Sequence, residues 1–469
     1  MKADLGWVAL ALRSAGYRGE APGEGTIGGV SIDTRGGCAG ALFVALAGAS
    51  SDGHAYVGEA VARGAAALLV STSRRGEAVA AAGATPVFDV PDTLAGLQAL
   101  AVAWRERVNP RVVAITGSSG KTGTKDLAAA ILARRFVVHA TPGNLNNHIG
   151  LPLTLLGMDG GEDMCVAEMG ANHRKEIQAL CAIAKPLVGV VTNVGTAHLE
   201  YFGTPKGVAA AKAELLEALP PDGTAVLPAD DEFAAFLAGR TKARTIAVGF
   251  SESADRRITG LEKREQGGYR FRVGEIRLET GRYGRHNVLN AAFAAVVGST
   301  AGVPDDEIAA AVAASRAADG RGATYDVGGV VFVDETYNAN PASLKAAVEA
   351  FMEMPGSGRR WLVLGDMLEL GGMSGELHRE AGVHCGRAKS DGILTLGTES
   401  AELSRAAAEQ RRSPERITHF LDAEPLAAHL ATLLRPGDLV LVKGSRAMRM
   451  ERIIDAVEAA RGAARRRLD

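Results

Sequence analysis

The sequence predicts a multidomain α/β protein, and three observations carry that expectation. A chain of 469 residues exceeds what one hydrophobic core usually supports, so two to four domains are expected. From Val112 short β-branched runs alternate with amphipathic helical stretches, the pattern of a mainly parallel sheet covered by helices. After a Gly/Arg stretch at Ala318 to Ala323 the alternation begins again, which fits a separate, smaller α/β domain.

The stretch before residue 91 is different in character. It is Gly-rich, with short strands such as ALFVAL and AAALLV, and it ends at TPVFDV before a helix from about Asp92 to Arg107 that marks a domain boundary. Beyond that helix VVAIT (Val112 to Thr116), MCVAEM (Met164 to Met169) and LVGVVTNV (Leu187 to Val194) read as buried strands, with helices at Lys121 to Arg134 and Lys206 to Leu219. Around Arg256 to Thr280 the alternation turns polar and hairpin-like, an antiparallel edge. HNVLNAAFAAVVG returns to helix. In the last part VVFVDE, RRWLVLG, GILTLG and DLVLVKG are each followed by a helical segment. The basic tail from Ala459 to Asp469 reads as a solvated helix end.

Bulk composition removes several function classes. With 47% hydrophobic and 23% charged residues the chain is an ordinary folded protein rather than a disordered one. A formal charge of −2 gives no electrostatic reason to expect nucleic acid as a partner. Cys38, Cys165, Cys181 and Cys385 form no C-x-x-C pair, so neither a disulfide framework nor a zinc site is suggested, and a reducing compartment fits best. The N-terminal apolar run WVALAL is too short for a signal peptide, and no apolar stretch reaches the ~18 residues of a membrane span. The expectation is a cytoplasmic protein without membrane insertion.

The densest chemistry lies in AITGSSGKTGTKDLAAAIL, Ala114 to Leu132. The general phosphate-binding loop is G-x-x-x-x-G-K-[ST], and its first glycine falls here on Ile115. The context is nevertheless that of a phosphate loop: a strand feeds a Gly/Ser turn that opens a helix, whose free N–H groups and positive end face an anion. Lys121 is then placed for terminal phosphates and the Thr122 hydroxyl for magnesium. Glu168 ends the next strand, where open α/β sheets place their ligands; it is either a solvated strand-end acid or a magnesium ligand. On chemistry alone His198 reads as a polar loop residue, because magnesium prefers oxygen. Lys212, on an Ala/Leu-rich helix, reads as an exposed lysine on an amphipathic face. Asn144, Asn146 and Asn147 in TPGNLNNHIGLP are turn formers that also concentrate neutral amides for a polar substrate. DETYNANPASL closes the first strand of the last domain and starts a helix with Pro341 in its first turn.

Taken in order, SIDTR, GALFVALAG, DGHAYV, TGSSGKTGTK, TPGNLNNHIGLPLTLL, AEMGANHRKEI, NVGTAHLEYFG, AAKAELL, GRHNVLNA, DETYNANPASLKAA, LGDMLELG and VKGSRAMRME resemble the ATP-dependent Mur ligases of peptidoglycan synthesis over essentially the whole chain. NLNNHIGLPLTLL and YNANP are similar to the members that add D-alanyl-D-alanine to a UDP-N-acetylmuramoyl-tripeptide. Gly123, Asp126, Glu335 and Thr336 depart from the family's usual threonine, glutamate and Asp-Ser, and glycine at 123 is expected to loosen the first helical turn by ~1 kcal/mol relative to alanine. Related readings are a folylpolyglutamate or cyanophycin-type ligase, or a nucleotide-binding paralogue without turnover.

The resemblance implies three domains: 1–90 holding the UDP end of the substrate, 91–318 as a central P-loop ATPase-like domain, and 319–469 as a Rossmann-like domain. It implies catalytic roles for Lys121, Glu168, His198 and Lys212. Two magnesium ions are implied, served by Thr122, Glu168, His198 and by Lys212 as a carbamate formed from carbon dioxide; the carbamate gives lysine the oxygen end that a hard cation requires. ATP would meet Gly117, Ser118, Ser119, Gly120, Lys121, Thr122 and Gly123. His286, Asn287 and Asn290 would lie on the adenine side, with Arg321, Asp334, Tyr337 and Asn338 closing from the last domain. Asp33, Thr34 and Arg35, together with Asn144, Asn146 and Asn147, would hold the UDP-muramoyl substrate. The protein is expected to act as a monomer.

Overall fold

The computed structural model describes residues 1–48, 51–195, 199–411 and 413–468. Its strands form four sheets among these residues. β1 (Ala3–Asp4) and β2 (Thr26–Ile27) make a short antiparallel pair, and β3 (Val30–Ser31), β4 (Leu42–Val44), β5 (Ala67–Ser71) and β6 (Val87–Val90) make a parallel sheet in that order. The helix Thr93–Val108 follows. Asp92 caps it by accepting Leu94 N–H, and the helix faces two ways. Thr93 Oγ1 donates to Ala45 O in the first sheet region, while Trp104 Nε1 donates to Met158 O and Gln98 Nε2 to His148 O in the next.

The central sheet contains β7 (Arg111–Thr116), β8 (Val138–Ala140), β9 (Met164–Glu168), β10 (Val188–Val191), β11 (Thr224–Pro228), β12 (Arg244–Gly249), β13 (Arg256–Lys263), β14 (Tyr269–Val273) and β15 (Ile276–Thr280). The order is β15-β14-β13-β12-β11-β10-β7-β9-β8, parallel from β8 to β13 and antiparallel beyond, as the polar hairpin pattern of Arg256 to Thr280 predicts. The buried strands β11 and β12 escape the sequence reading: TAVLP and RTIAVG are short runs inside a Gly/Pro/charge-rich stretch. From β7 the chain first runs outward to β8 and returns to β9, then crosses to β10 on the other side of β7. The strand order therefore reverses at β7, and a crevice opens at the C-terminal ends of β9, β7 and β10.

Packing fixes that crevice. Ala114 and Ile115 are fully buried in β7, and Leu127, Ala128, Ile131 and Leu132 of the helix Lys121–Leu132 seal against the helix Arg285–Thr300. Each such leucine or isoleucine side chain contributes about 1.5–3 kcal/mol of transfer free energy. The last sheet has the order β20-β19-β18-β21-β17-β16-β22, with β16 (Ala323–Val327), β17 (Val330–Glu335), β18 (Arg360–Gly365), β19 (Gly392–Leu396), β20 (Ile417–Phe420), β21 (Leu439–Lys443) and β22 (Arg466–Arg467). Its parallel part runs from β20 to β17.

The tail corrects the sequence reading. The helix Glu451–Arg461 ends at left-handed Gly462, and the arginines after it are a strand rather than a solvated helix end. β22 pairs with β16, Leu468 N donates to Thr324 O at 2.9 Å, and Arg467 Nη1 meets Asp319 at 2.8 Å. Arginine is long enough to reach the linker carboxylate and carbonyls while its backbone joins the sheet edge. The four cysteines are free and buried, and burial pushes the thiols of Cys165, Cys181 and Cys385 up to about 12. No helix among the described residues is long and apolar enough to cross a membrane.

Candidate functional site

The crevice at the strand ends opens into a cavity of about 630 Å³ that the last domain also lines. Its floor is the turn between β7 and the helix Lys121–Leu132. Gly117 (φ +149) and Gly120 (φ +79) shape that turn. A Cβ at Gly117 would stand 1.9 Å from Thr192 Oγ1 and one at Gly120 2.5 Å from Asn290 Oδ1, so side chains are excluded at both. Ile115 remains inside β7, paired with Val190 and Glu168; Thr116, paired with Val191, ends the strand, and the loop begins at Gly117.

Lys121 Nζ donates to Gly117 O at 2.7 Å, an internal bond that a phosphate can replace. Desolvation lowers the Lys121 pKa, opposed by the nearby Glu168 charge. Thr122 Oγ1 donates to Glu168 Oε2 at 2.5 Å, and Glu168 Oε1 accepts Asn146 Nδ2 at 2.8 Å. Both partners are buried, Thr122 at 5% and Glu168 at 1% exposure. The strand-end acid is therefore not solvated. A hydroxyl and a carboxylate side by side are the hard oxygen donors that magnesium takes. Among the described residues no group of three His, Cys, Asp or Glu side chains gathers for a metal. His198 lies outside the described residues.

Lys212 overturns the reading of an exposed helical lysine. The helix Pro205–Glu217, capped by Thr204 with Pro205 in its first turn, turns Lys212 inward to 2% exposure. Burial, with the Lys121 charge adding, pulls its pKa down to about 7. Its Nζ stands 6.0 Å from the Phe202 ring centroid, and the side chain lines the same cavity as Lys121. The pattern VAAAKAELLEAL hides this because alanines flank Lys212 and the stripe around it is apolar on nearly every side.

The asparagines divide their work. All three line the cavity; Asn146 also holds Glu168, and Asn147 Oδ1 accepts the N–H groups of Ile149 and Gly150 at the start of the next helix. On the facing helix, desolvation lowers the His286 pKa, and Asn287 Nδ2 lies 3.1 Å from His286 Nε2 and donates to Tyr283 O. Asn290 lines the cavity and packs against the phosphate loop: Oδ1 accepts Thr124 Oγ1, and a Cβ at Gly123 would stand only 3.0 Å from its Nδ2. Gly123 thus fits closely against Asn290.

From the last domain Arg321 stacks on Tyr337, its guanidinium carbon 3.6 Å from the ring centroid, and both line the cavity with Asn338. Asp334 does not line it. Its carboxylate turns inward to accept Gly320 N, Thr336 N and Thr336 Oγ1, and it shapes the turns that present Arg321 and Tyr337. Asp33, Thr34 and Arg35 also lie outside the cavity lining. Asp33 caps a short 3₁₀ turn and is held by Arg35, whose hydrogen bonds lower its carboxyl to about 2, while Thr34 is buried. Sequence reasoning missed Asn193, Glu335 and Lys443, all in the lining. Lys443 is buried against Glu335 (3.1 Å) and Asn338 O (2.9 Å). A lysine ending an apolar strand just before Gly-Ser is the signal that could have found it.

A phosphate loop, an oxygen pair beside it and a second α/β domain closing the cavity define a nucleotide-using P-loop enzyme with its site between domains. Known proteins make the class specific. Profiles of the Mur ligase family catalytic domain, the Mur ligase middle domain and the Mur ligase glutamate ligase domain match residues 26–105, 115–298 and 320–446. The chain is 34% identical to the UDP-N-acetylmuramoyl-tripeptide--D-alanyl-D-alanine ligase of Bacillus subtilis, over 92% of this chain and 93% of that one. It is 36% identical to the Escherichia coli protein of that name, over 92% and 94%. The crystal structure of MurF from Acinetobacter baumannii superposes with a TM-score of 0.85 at 29% identity, covering 98% of this chain and 99% of that one. MurF of Thermotoga maritima in complex with ADP has a TM-score of 0.79 at 31% identity, covering 92% and 97%. The chain belongs to the Mur ligase family.

Proposed function

We propose that this chain is an ATP-dependent ligase that joins D-alanyl-D-alanine to UDP-N-acetylmuramoyl-tripeptide in peptidoglycan precursor synthesis. The observation that carries the reading is the convergence of Lys121, Thr122, Glu168 and Lys212 with Arg321 and Tyr337 on one cavity, in a chain aligned over 92% of its length with UDP-N-acetylmuramoyl-tripeptide--D-alanyl-D-alanine ligases. The division of labour follows the domains 1–90, 91–318 and 319–469, with half-buried Asp33 and exposed Arg35 flanking buried Thr34 on the first, for the UDP end.

The chemistry transfers the ATP γ-phosphoryl group to the terminal carboxylate of the tripeptide. The bond to the β–γ bridging oxygen breaks, ADP leaves and an acyl phosphate forms. The amine of D-alanyl-D-alanine then attacks that carbonyl carbon, loses a proton and expels phosphate, leaving an amide. Such chemistry is mostly positioning and charge neutralisation. Lys121 offsets phosphate charge, the N–H groups at the start of its helix point at the polyphosphate, and Arg321 with Tyr337 covers the nucleotide from the last domain. Thr122 and Glu168 fit one magnesium ion, which when bound neutralises phosphate oxygens. Lys212 fits carbamylation, since an amine with a pKa near 7 is substantially neutral in the cell. His198 is assigned a second magnesium on resemblance.

ADP release measured with UDP-muramoyl-tripeptide, with and without D-alanyl-D-alanine, tests the reading. Turnover that requires both supports it; turnover with glutamate in place of the dipeptide supports a folylpolyglutamate-type ligase, and nucleotide binding without turnover a non-catalytic paralogue.

A further inference from the structure

The phosphate loop is shorter than the general pattern, and the neighbouring strand supplies what is missing. After β10 the chain carries Thr192 and Asn193 against the loop. Asn193 Oδ1 accepts the N–H groups of Ser118 and Ser119 at 3.1 and 3.0 Å. Its Nδ2 donates to Ser119 Oγ at 2.8 Å and to Ser119 O at 3.3 Å. The Asn193 carbonyl accepts Ser118 N at 3.2 Å as well, and Thr192 Oγ1 donates to Ser119 O at 2.6 Å. One amide side chain thus spends both its acceptor and its donors on two consecutive loop residues.

This divides the loop's donors into two sets. The N–H groups of Ser118 and Ser119 are turned to the strand. Those of Lys121, Thr122 and Gly123 precede the first intrahelical bond, Thr124 N to Gly120 O, and belong to the open end of the helix. We infer that Asn193 is a positioning residue for phosphoryl transfer: it staples Ser118 and Ser119 to β10, so that the polyphosphate meets only the helix-end donors and Lys121 and Thr122 stand in register. Asn193 acts through the loop and not on the reacting atoms. Without its amide, Ser119 N–H loses its partner and Ser118 N–H keeps only the Asn193 main-chain carbonyl, and the loop gains conformations in which these groups compete for the phosphate.

The inference rests on the ligase reading for its reaction but not for nucleotide binding, so the two are tested apart. In Asn193→Ala the KM for ATP is expected to rise about tenfold and ADP affinity, by calorimetry, to fall equally. The KM values for UDP-muramoyl-tripeptide and D-alanyl-D-alanine stay within about twofold, a split that general structural damage does not produce. Ser119→Ala removes one accepted bond, tolerates folding of the loop, and is expected to raise the ATP KM about threefold, with an effect non-additive to Asn193→Ala. Unchanged ADP affinity in Asn193→Ala, a parallel rise of all three KM values, or full additivity overturns the inference. Should Asn193→Ala fold poorly, an ADP affinity of Ser119→Ala equal to wild type overturns it alone. If wild type binds ADP but shows no ligation, the ligase reading falls and the ADP arms still decide the role of Asn193.

Discussion

Replacing Lys212 by methionine is expected to make the protein more stable and inactive. The folded-state pKa of about 7 lies below the ordinary lysine value of 10.5. Between those pH values the unfolded chain binds more protons than the folded one, so stability rises with pH across the window; the penalty is fully present below pH 7 and gone above about 10.5. At pH 7 this burden amounts to about 4 kcal/mol, since each pKa unit corresponds to about 1.4 kcal/mol. Methionine matches lysine in length, fills the space at 2% exposure and carries no charge to desolvate. In carbon-dioxide-depleted, magnesium-free buffer at pH 7, scanning calorimetry should show the transition of the Lys212→Met central domain roughly 8–16 °C above wild type, at about 2–4 °C per kcal/mol for a domain of this size. The difference should shrink towards pH 10. Ligation by the variant should be lost, and short carboxylates should partly restore it in Lys212→Ala. A methionine variant that melts at or below wild type at pH 7, or a gap that does not narrow with pH, refutes the burial argument; full activity of the alanine variant removes Lys212 from the mechanism.

Three further outcomes follow from the cavity. Glu168→Gln keeps the hydrogen bond from Thr122 but removes the carboxylate charge, so half-saturation by magnesium should rise about tenfold or more and kcat fall about a hundredfold, read by titrating magnesium in the ADP-release assay. Arg321→Ala removes the stack on Tyr337 and should raise the ATP KM about tenfold with little effect on the dipeptide KM. Small-angle scattering should show a more compact particle with an ATP analogue plus UDP-muramoyl-tripeptide than with neither; identical curves would count against domain closure.

Much of the fold was legible because β-branched runs and amphipathic helices repeat at the spacing of parallel α/β units. The strands that escaped, among them β8, β11, β12, β16, β20 and β22, are short or polar, and their pairing partners, not their own sequence, decide their state. Phosphate-loop residues were legible because their chemistry is local. The burial of Lys212 was not, since which face of an alanine-rich helix meets the sheet is set by the whole domain. Asp334 shows the opposite case: a carboxylate beside cavity-lining residues in sequence lies outside the lining, because its oxygens are taken by two turns. Asn193 escaped because an asparagine after a strand is common in turns, and only the neighbouring loop reveals what it holds.

The four buried cysteines have a practical consequence. Thiolate is the reactive form, so Cys165, Cys181 and Cys385, held near pKa 12 inside a packed core, react slowly with alkylating reagents, and Cys38 is shielded by its burial. Fluorophores attached through cysteines introduced on exposed positions of the central and last domains should therefore label those positions selectively in the native chain, with no need to remove Cys38, Cys165, Cys181 or Cys385. Energy transfer between such a pair would follow the opening and closing of the nucleotide cavity in real time, turnover by turnover.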